Sequence, residues 1–365
     1  MNLEIKQHFL SADINRSPNA MSFLELAALE SPISVIKYSM PANDTLLVAS
    51  YDNNVLLYNY SKKLLAVKLA SPAPVLSIAY SSHRTTYAGH LDGTIREIDF
   101  ENMNFSRPCV SIQAPDSAKT DSVPNVSSGI NCFRLLDGTS LVASTFLGVL
   151  VQFDPRSLRA LHKTQTQGKI FAMDTCNSKI TVAKLQLAVE VWDARNMAAP
   201  VHKRLTGLRF QATNLRCFPS GDGYALSSVD GRVLMEYYED LASAQEQKFA
   251  FKCHRIKDKE AGEDVVYPVT GLEFHPQYET LFTAGGDGNV CVWNWAKRKR
   301  MKLLCHHLEL PRLISHMDIS GDGQSLAIAV SDDLYTRASL VGKIAAVGGK
   351  ILIRNLTDAD CKPKS

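Results

Sequence analysis

Short runs of apolar residues alternate with polar ones along most of this chain, separated by Gly, Asp and Asn. The clearest unit is Ala284–Lys297, AGGDGNVCVWNWAK, which predicts strand, tight turn, strand. Gly285-Gly286-Asp287-Gly288 supplies the positive-φ residues of a two-residue hairpin, and Val290 and Val292 alternate with their neighbours up to Trp293. Weaker copies stand at Ser50–Tyr60, Gly89–Phe100, Ser144–Arg156, Ala183–Arg195 and Ser227–Tyr237; Lys350–Leu356 keeps the strand without the turn. Their spacing, roughly 40 to 60 residues once loop insertions are allowed for, is the period of a four-stranded propeller blade.

The repeat predicts an all-β fold, a seven-bladed propeller of WD type. Residues 1–21 read as a polar tail and 22–365 as one propeller domain. Ser22–Ala28 (SFLELAA) has no partner in blade one. An open sheet edge invites aggregation, so the pattern assigns this strand to blade seven, where it closes the ring beside Lys350–Leu356. Ser34–Tyr38, Leu46–Ser50, Val55–Tyr58 and Leu64–Leu69 form blade one; Val75–Tyr80, Thr86–Gly89 and Thr94–Asp99 begin blade two. Met103–Ser128 dissolves into Ser, Pro, Asp and Thr and reads as a surface insertion. Lys169–Met173, Lys179–Ala183 and Val189–Trp192 carry blade four. Blade five runs from Asn214 to Arg255 and ends in the strand Lys248–Arg255, followed by a charged loop, Ile256–Asp264. Blade six spans Val269–Leu304, with a basic turn at Lys297–Arg300, and blade seven starts at Leu313; the strands of Asp332–Gly349 have no clear pattern.

Composition narrows the chemistry. With 40 basic and 37 acidic residues in 365, the net charge of +3 argues against bulk attraction to nucleic acid or membrane. The eight cysteines form no CxxC pair, and Cys305-His306-His307 would point its neighbours to opposite faces of a strand, so no metal site or cofactor is expected. The N-terminus lacks a signal-peptide core, and the composition suggests a reducing, soluble setting. No phosphate loop, GxSxG elbow or HExxH occurs, so catalysis is not expected. His90, His254 and His275 sit at strand ends or beside Pro and read as structural. Lys297–Arg300 reads as a solvated turn or a nuclear address. Arg232 follows the turn in Ser227–Tyr237, and Lys252 lies in the next strand. Were those strands paired, two cations, joined by Arg255, would converge where no carboxylate is near, as a phosphate or an acidic partner requires; two solvated charges would look the same.

Several segments carry a resemblance to one family. FAFKCHR at 249–255, YPV at 267–269, SSVDGR at 227–232, VWDARNM at 191–197 and DADCKPKS at 358–365 resemble the mitotic checkpoint propeller called budding-uninhibited-by-benzimidazole protein three. Its sister, the messenger-RNA export propeller that binds a nuclear-pore protein, has a similar FKCHR strand but differs at Tyr267-Pro268-Val269 and Arg195-Asn196-Met197. The resemblance implies a non-enzymatic scaffold of the nucleus and mitotic kinetochore. One face would hold a short acidic motif of a checkpoint kinase and its kinase-like partner. The side would bind a phosphothreonine of a kinetochore scaffold through Arg232 and Lys252. The chain departs from the family at Thr213, where an arginine facing the acidic motif is usual, so Arg209 or Arg216 would compensate. It also has Thr145-Phe146-Leu147-Gly148 in place of a Ser-Trp-Asp turn. Two other binding readings stay open: the export factor, and a cullin-ligase receptor suggested by Trp192–Arg195. A propeller hydrolase lacks a nucleophile–base pair.

Overall fold

The computed structural model describes residues 23–26, 29–39, 44–81, 85–113, 128–239, 242–257, 262–305, 312–332 and 348–364. Seven antiparallel sheets follow one another along the chain, each running from an inner to an outer strand. Blade five is typical, with strands Ala212–Cys217, Gly223–Ser228, Arg232–Tyr237 and Phe249–Lys252. The middle strands are apolar on both faces because each is covered by two neighbouring blades. Thus Ser140–Thr145 of blade three is buried throughout, whereas its outer strand Arg159–Gln165 is mostly exposed.

A single blade cannot bury its own faces, so the core lies between blades. Seven apolar clusters occupy the seven gaps, each drawing on two adjacent sheets. The seventh gap is sealed as the sequence predicts. Leu24–Glu25 pairs with Lys350–Asn355, in register Leu24↔Ile353 and Glu25↔Leu352. Lys350 Nζ sits 2.7 Å from Glu25 Oε1, and Leu26 is buried in the cluster shared by blades seven and one. The described strand is shorter than Ser22–Ala28; Ser22, Ala27 and Ala28 lie outside the described residues.

Polar bonds stitch the inner strands around a central channel of about 260 Å3. Ser34 Oγ donates to the Val75 carbonyl, Ser77 Oγ to Ile130, Asn131 Nδ2 to Ile170, Asn214 Nδ2 to Val269 and Thr270 Oγ1 to Ile314, each reaching the next blade. Further along the same strands, charges occupy equivalent positions. Lys37 of blade one meets Asp318 of blade seven at 2.5 Å, Arg134 of blade three meets Asp174 of blade four at 3.1 Å, and Arg216 of blade five grips Glu273 of blade six through two nitrogens. Backbone adds to the series: Asp174 Oδ2 accepts Cys217 N–H at 2.8 Å across the gap between blades four and five, and Asp318 Oδ2 accepts Tyr38 N–H at 2.7 Å in the gap that Lys37 already spans. Blade two has Ala79 in the charge position and contributes none.

Three sequence expectations change. Met103–Ser128 is not a plain insertion: Asn104–Phe105 and Val110–Ser111 pair with Thr94–Asp99 as the broken outer edge of blade two. Lys248–Arg255 does not continue as one strand. It stops at Lys252, and His254 turns the chain with φ of 48°. Arg255–Lys257 then pairs with Asp264–Val266 in a separate ribbon, so part of the expected charged loop is strand. Third, the turn of blade six joins Leu281–Gly285 to Val290–Asn294 through four residues rather than two. The strands of 333–347 lie outside the described residues.

Two outcomes follow for stability. Deleting the chain through Leu26 should unseat the last blade, lower the melting temperature and cause aggregation through the exposed edge of Lys350–Asn355, read by calorimetry and light scattering. Arg216→Met should cost about 3–5 kcal/mol in urea unfolding by stranding Glu273, while Arg216→Met with Glu273→Leu should recover most of it. An additive double variant would show that the two side chains act independently.

Candidate functional site

The register places Arg232 directly opposite Lys252, the first residue of one strand against the last of its neighbour. Residues directly opposite on an antiparallel pair project to the same side, so the two cations share a face of blade five. Lys252 is exposed and Arg232 partly so. The expectation of no nearby carboxylate is corrected: Arg232 Nε donates to Asp230 Oδ2 at 2.8 Å. Asp230 itself is fixed by Ser228 Oγ in the turn before the strand. The ion pair therefore aims the guanidinium, and neither Nη atom is bonded among the described residues. Arg255 stands apart in the ribbon: its Nη2 donates to the Asp230 carbonyl at 2.8 Å and its Nη1 lies 3.8 Å from Asp264. It buttresses the turn rather than joining the cationic pair.

Lys252 is held from behind. The residue two places on, His254, is wholly buried and lies in a chain of hydrogen bonds across blade six. Trp293 Nε1 donates to Thr283 Oγ1 at 3.0 Å, Thr283 Oγ1 donates to His254 Nε2 at 2.9 Å, and His254 Nδ1 donates to Asp287 Oδ1 at 2.8 Å. For a neutral imidazole the Nδ1–H tautomer is the one that meets both partners, the Asp287 carboxylate accepting that proton. Burial alone would raise the Asp287 pKa, but its bonds to His254 and Asn289 bring it below the ordinary carboxylate value. Gly285 makes room: a Cβ there would stand 2.4 Å from His254 Nδ1. The structural reading of His254 thus holds, and so do those of His90, whose nitrogens meet Thr94 and Ser71, and His275, which meets Gly323. Among the described residues no cluster suited to a metal ion occurs.

The other predicted residues separate. Thr213 lines the mouth of the channel, with its hydroxyl 2.9 Å from Ser227 Oγ. Arg216 lies deeper and is engaged by Glu273; burial works against its charge, but that carboxylate outweighs burial and raises its pKa, while Glu273 is lowered in turn. Arg209 is exposed on the loop entering blade five and makes no ion pair among the described residues. In the Trp192–Arg195 ending, Arg195 folds back onto Asp193 at 2.6 Å.

Sequence reasoning missed a feature of the face around the channel mouth. Tyr51, Leu91, Phe146, Leu185 and Val229 occupy one equivalent position, the first residue after the second strand, in blades one to five. They are 52%, 42%, 42%, 45% and 39% exposed, and Tyr51 and Phe146 rim the channel mouth beside Thr213. Phe210, 53% exposed, lies next to Arg209. The signal was present in the repeat copies, since in Tyr51-Asp52, Leu91-Asp92 and Val229-Asp230 a large apolar residue precedes the turn aspartate. Such a ring on a solvated face marks an interaction surface.

Comparison with known proteins agrees with this architecture. A model of the WD domain, G-beta repeat, matches residues 264–294, the stretch that leads into and includes the hairpin of blade six. Among solved structures, that of U3-55K superposes with a TM-score of 0.71 over 92% of this chain and 98% of that one; at 13% identity this is likeness of fold. A poly(A)+ RNA export protein of Schizosaccharomyces pombe is 26% identical, over 92% of this chain and 90% of its own. The mitotic checkpoint protein bub3 of Dictyostelium discoideum is 31% identical, over 85% and 89%. The mitotic checkpoint protein BUB3.1 of Arabidopsis thaliana is 32% identical across 91% of this chain and 92% of its own, and at that identity and coverage the chain belongs to the BUB3 family of mitotic checkpoint WD-repeat proteins.

Proposed function

We propose that this protein is a non-catalytic checkpoint scaffold that joins a short acidic motif of kinase and kinase-like partners to a phosphothreonine of a kinetochore protein, in the nucleus and at mitotic kinetochores. The observation that carries the reading is the cross-strand pair of Arg232 and Lys252. A phosphorylated threonine carries close to two negative charges near neutral pH, and two cations on one face match it. Asp230 leaves the pair a net positive charge and fixes Arg232 in place, which lowers the ordering cost of binding. Kinase-motif recognition is assigned to the channel mouth, where the apolar ring supplies anchors and Arg209 supplies the cation missing at Thr213. Arg216 serves the channel through Glu273.

Calorimetry with paired kinetochore peptides, phosphorylated and not, tests the phosphate reading. Charge-assisted hydrogen bonds of about 1.5–3 kcal/mol each predict a ten- to hundredfold loss for Arg232→Ala and a milder one for Lys252→Ala. The melting temperature should hold, since a partly exposed ion pair adds little to stability. Equal affinity for both peptides would refute the reading. At the channel mouth, Arg209→Ala should weaken the acidic kinase-derived peptide and Thr213→Arg should restore it; a peptide indifferent to both changes would remove the cation from Arg209.

A further inference from the structure

The near-neutral balance of the chain hides one dense cluster. Lys297, Arg298, Lys299 and Arg300 are all exposed at the turn into the outer strand of blade six. The C-terminal segment brings Lys362 and Lys364 beside them, with Lys297 Nζ 3.4 Å from the Lys364 carbonyl. None of the six makes an ion pair among the described residues. The carboxylates of the intervening helix, Asp358–Cys361, are engaged elsewhere: Asp358 accepts the Tyr278 hydroxyl at 2.8 Å, and Asp360 holds Lys302 and Arg354.

The cluster is built rather than loose. Lys297 N–H is capped by Asn294 Oδ1 at 3.0 Å, Arg298 N–H closes the turn on the Trp295 carbonyl at 3.0 Å, and the Arg298 guanidinium lies over the Phe249 ring of blade five at 4.3 Å. Lysines on an outer strand also deter edge pairing. That role covers Lys299 and Arg300. It does not cover Lys297 and Arg298, which precede the strand, or Lys362 and Lys364, which belong to another segment.

We propose that this edge of blade six is a docking strip for the phosphate backbone of duplex nucleic acid. The surroundings select the ligand. Among the described residues from 267 onward no large apolar side chain is exposed, so the strip lacks the anchors on which protein interfaces depend. The rings at the strip are already engaged, Phe249 under the Arg298 guanidinium and Trp295 through its bond to the Glu279 carbonyl, so neither is offered as a platform for the bases of a single strand. Fixed cations without anchors match a regular polyanion, bound through counterion release and without sequence preference. The turn between third and fourth strands lies at the opposite end of the blades from the turns bearing Tyr51 and Phe146, so duplex and partner motif would not compete.

Fluorescence anisotropy of the full-length protein with a dye-labelled duplex of random sequence tests this. Binding at 50 mM salt should weaken linearly on a log–log scale as salt rises, with a slope of about 0.9 per phosphate engaged. Lys297→Glu with Lys299→Glu should lose about tenfold or more and reduce the slope by about two, with an unchanged melting temperature. Arg232→Ala should bind the duplex as the wild type does, which separates this strip from the phosphothreonine pair. The proposal falls if the double variant binds equally well, if a single strand of equal length binds more tightly, or if poly-glutamate displaces the duplex at lower charge concentration.

Discussion

Everything in this molecule depends on seven sheets keeping one radius, and the polar bracelet around the channel sets it. Apolar packing between blades is non-directional and would tolerate slippage or a different number of sheets. Hydrogen bonds from Ser34, Ser77, Asn131, Asn214 and Thr270 to the next blade's backbone, with ion pairs below them, are satisfied only at one spacing and register. Each donor or charge is sheltered enough that losing its partner is costly, so the bracelet specifies the ring more than it adds net stability. That Ala79 can stand in the charge series without a partner follows from the serine bonds that already span both gaps beside blade two.

The binding features take their rigidity from this frame. The break between Lys252 and Arg255 is set by a histidine buried in the neighbouring blade, so the exposed lysine is placed by hydrogen bonds it does not touch. Asp230 does the same for Arg232 at shorter range. The apolar ring needs no such device. Five equivalent turns present five equivalent side chains, and the regular placing of blades one to five converts a sequence period into an apolar arc.

How much of this was legible in the sequence depended on distance along the chain. Features fixed within one blade were readable: the Gly-Asp-Gly turn, the Arg232–Lys252 pairing, and even the closing strand, whose apolar pattern had no local partner. Features that join blades were not. Arg216 read as a candidate ligand because Glu273, its partner, belongs to the next repeat and nothing in spacing links them. Arg255 seemed to extend a strand because its alternation continues; the positive φ at His254 comes from a tertiary bond, not from local propensity. Asp230 stands in the turn two residues before Arg232, but nothing in the sequence shows that its carboxylate takes the guanidinium as well as the turn's Ser228 hydroxyl. The ring of exposed apolar residues was written in the repeats and was overlooked because each member alone is an ordinary surface side chain.

The pairing of Leu24 with Ile353 has a meaning in time as well as in space. Nearly the whole propeller separates the two residues in sequence, so the contact cannot form until Ile353 has left the ribosome. Six blades can assemble in order as they are made, each on the edge of the one before. The seventh must wait with its third strand uncovered until Leu24–Glu25 returns to it. Long-range pairings of this kind are slow to form. The interval in which the ring stands open is therefore when the nascent protein most needs a chaperone, and when an incomplete copy can be told from a finished one.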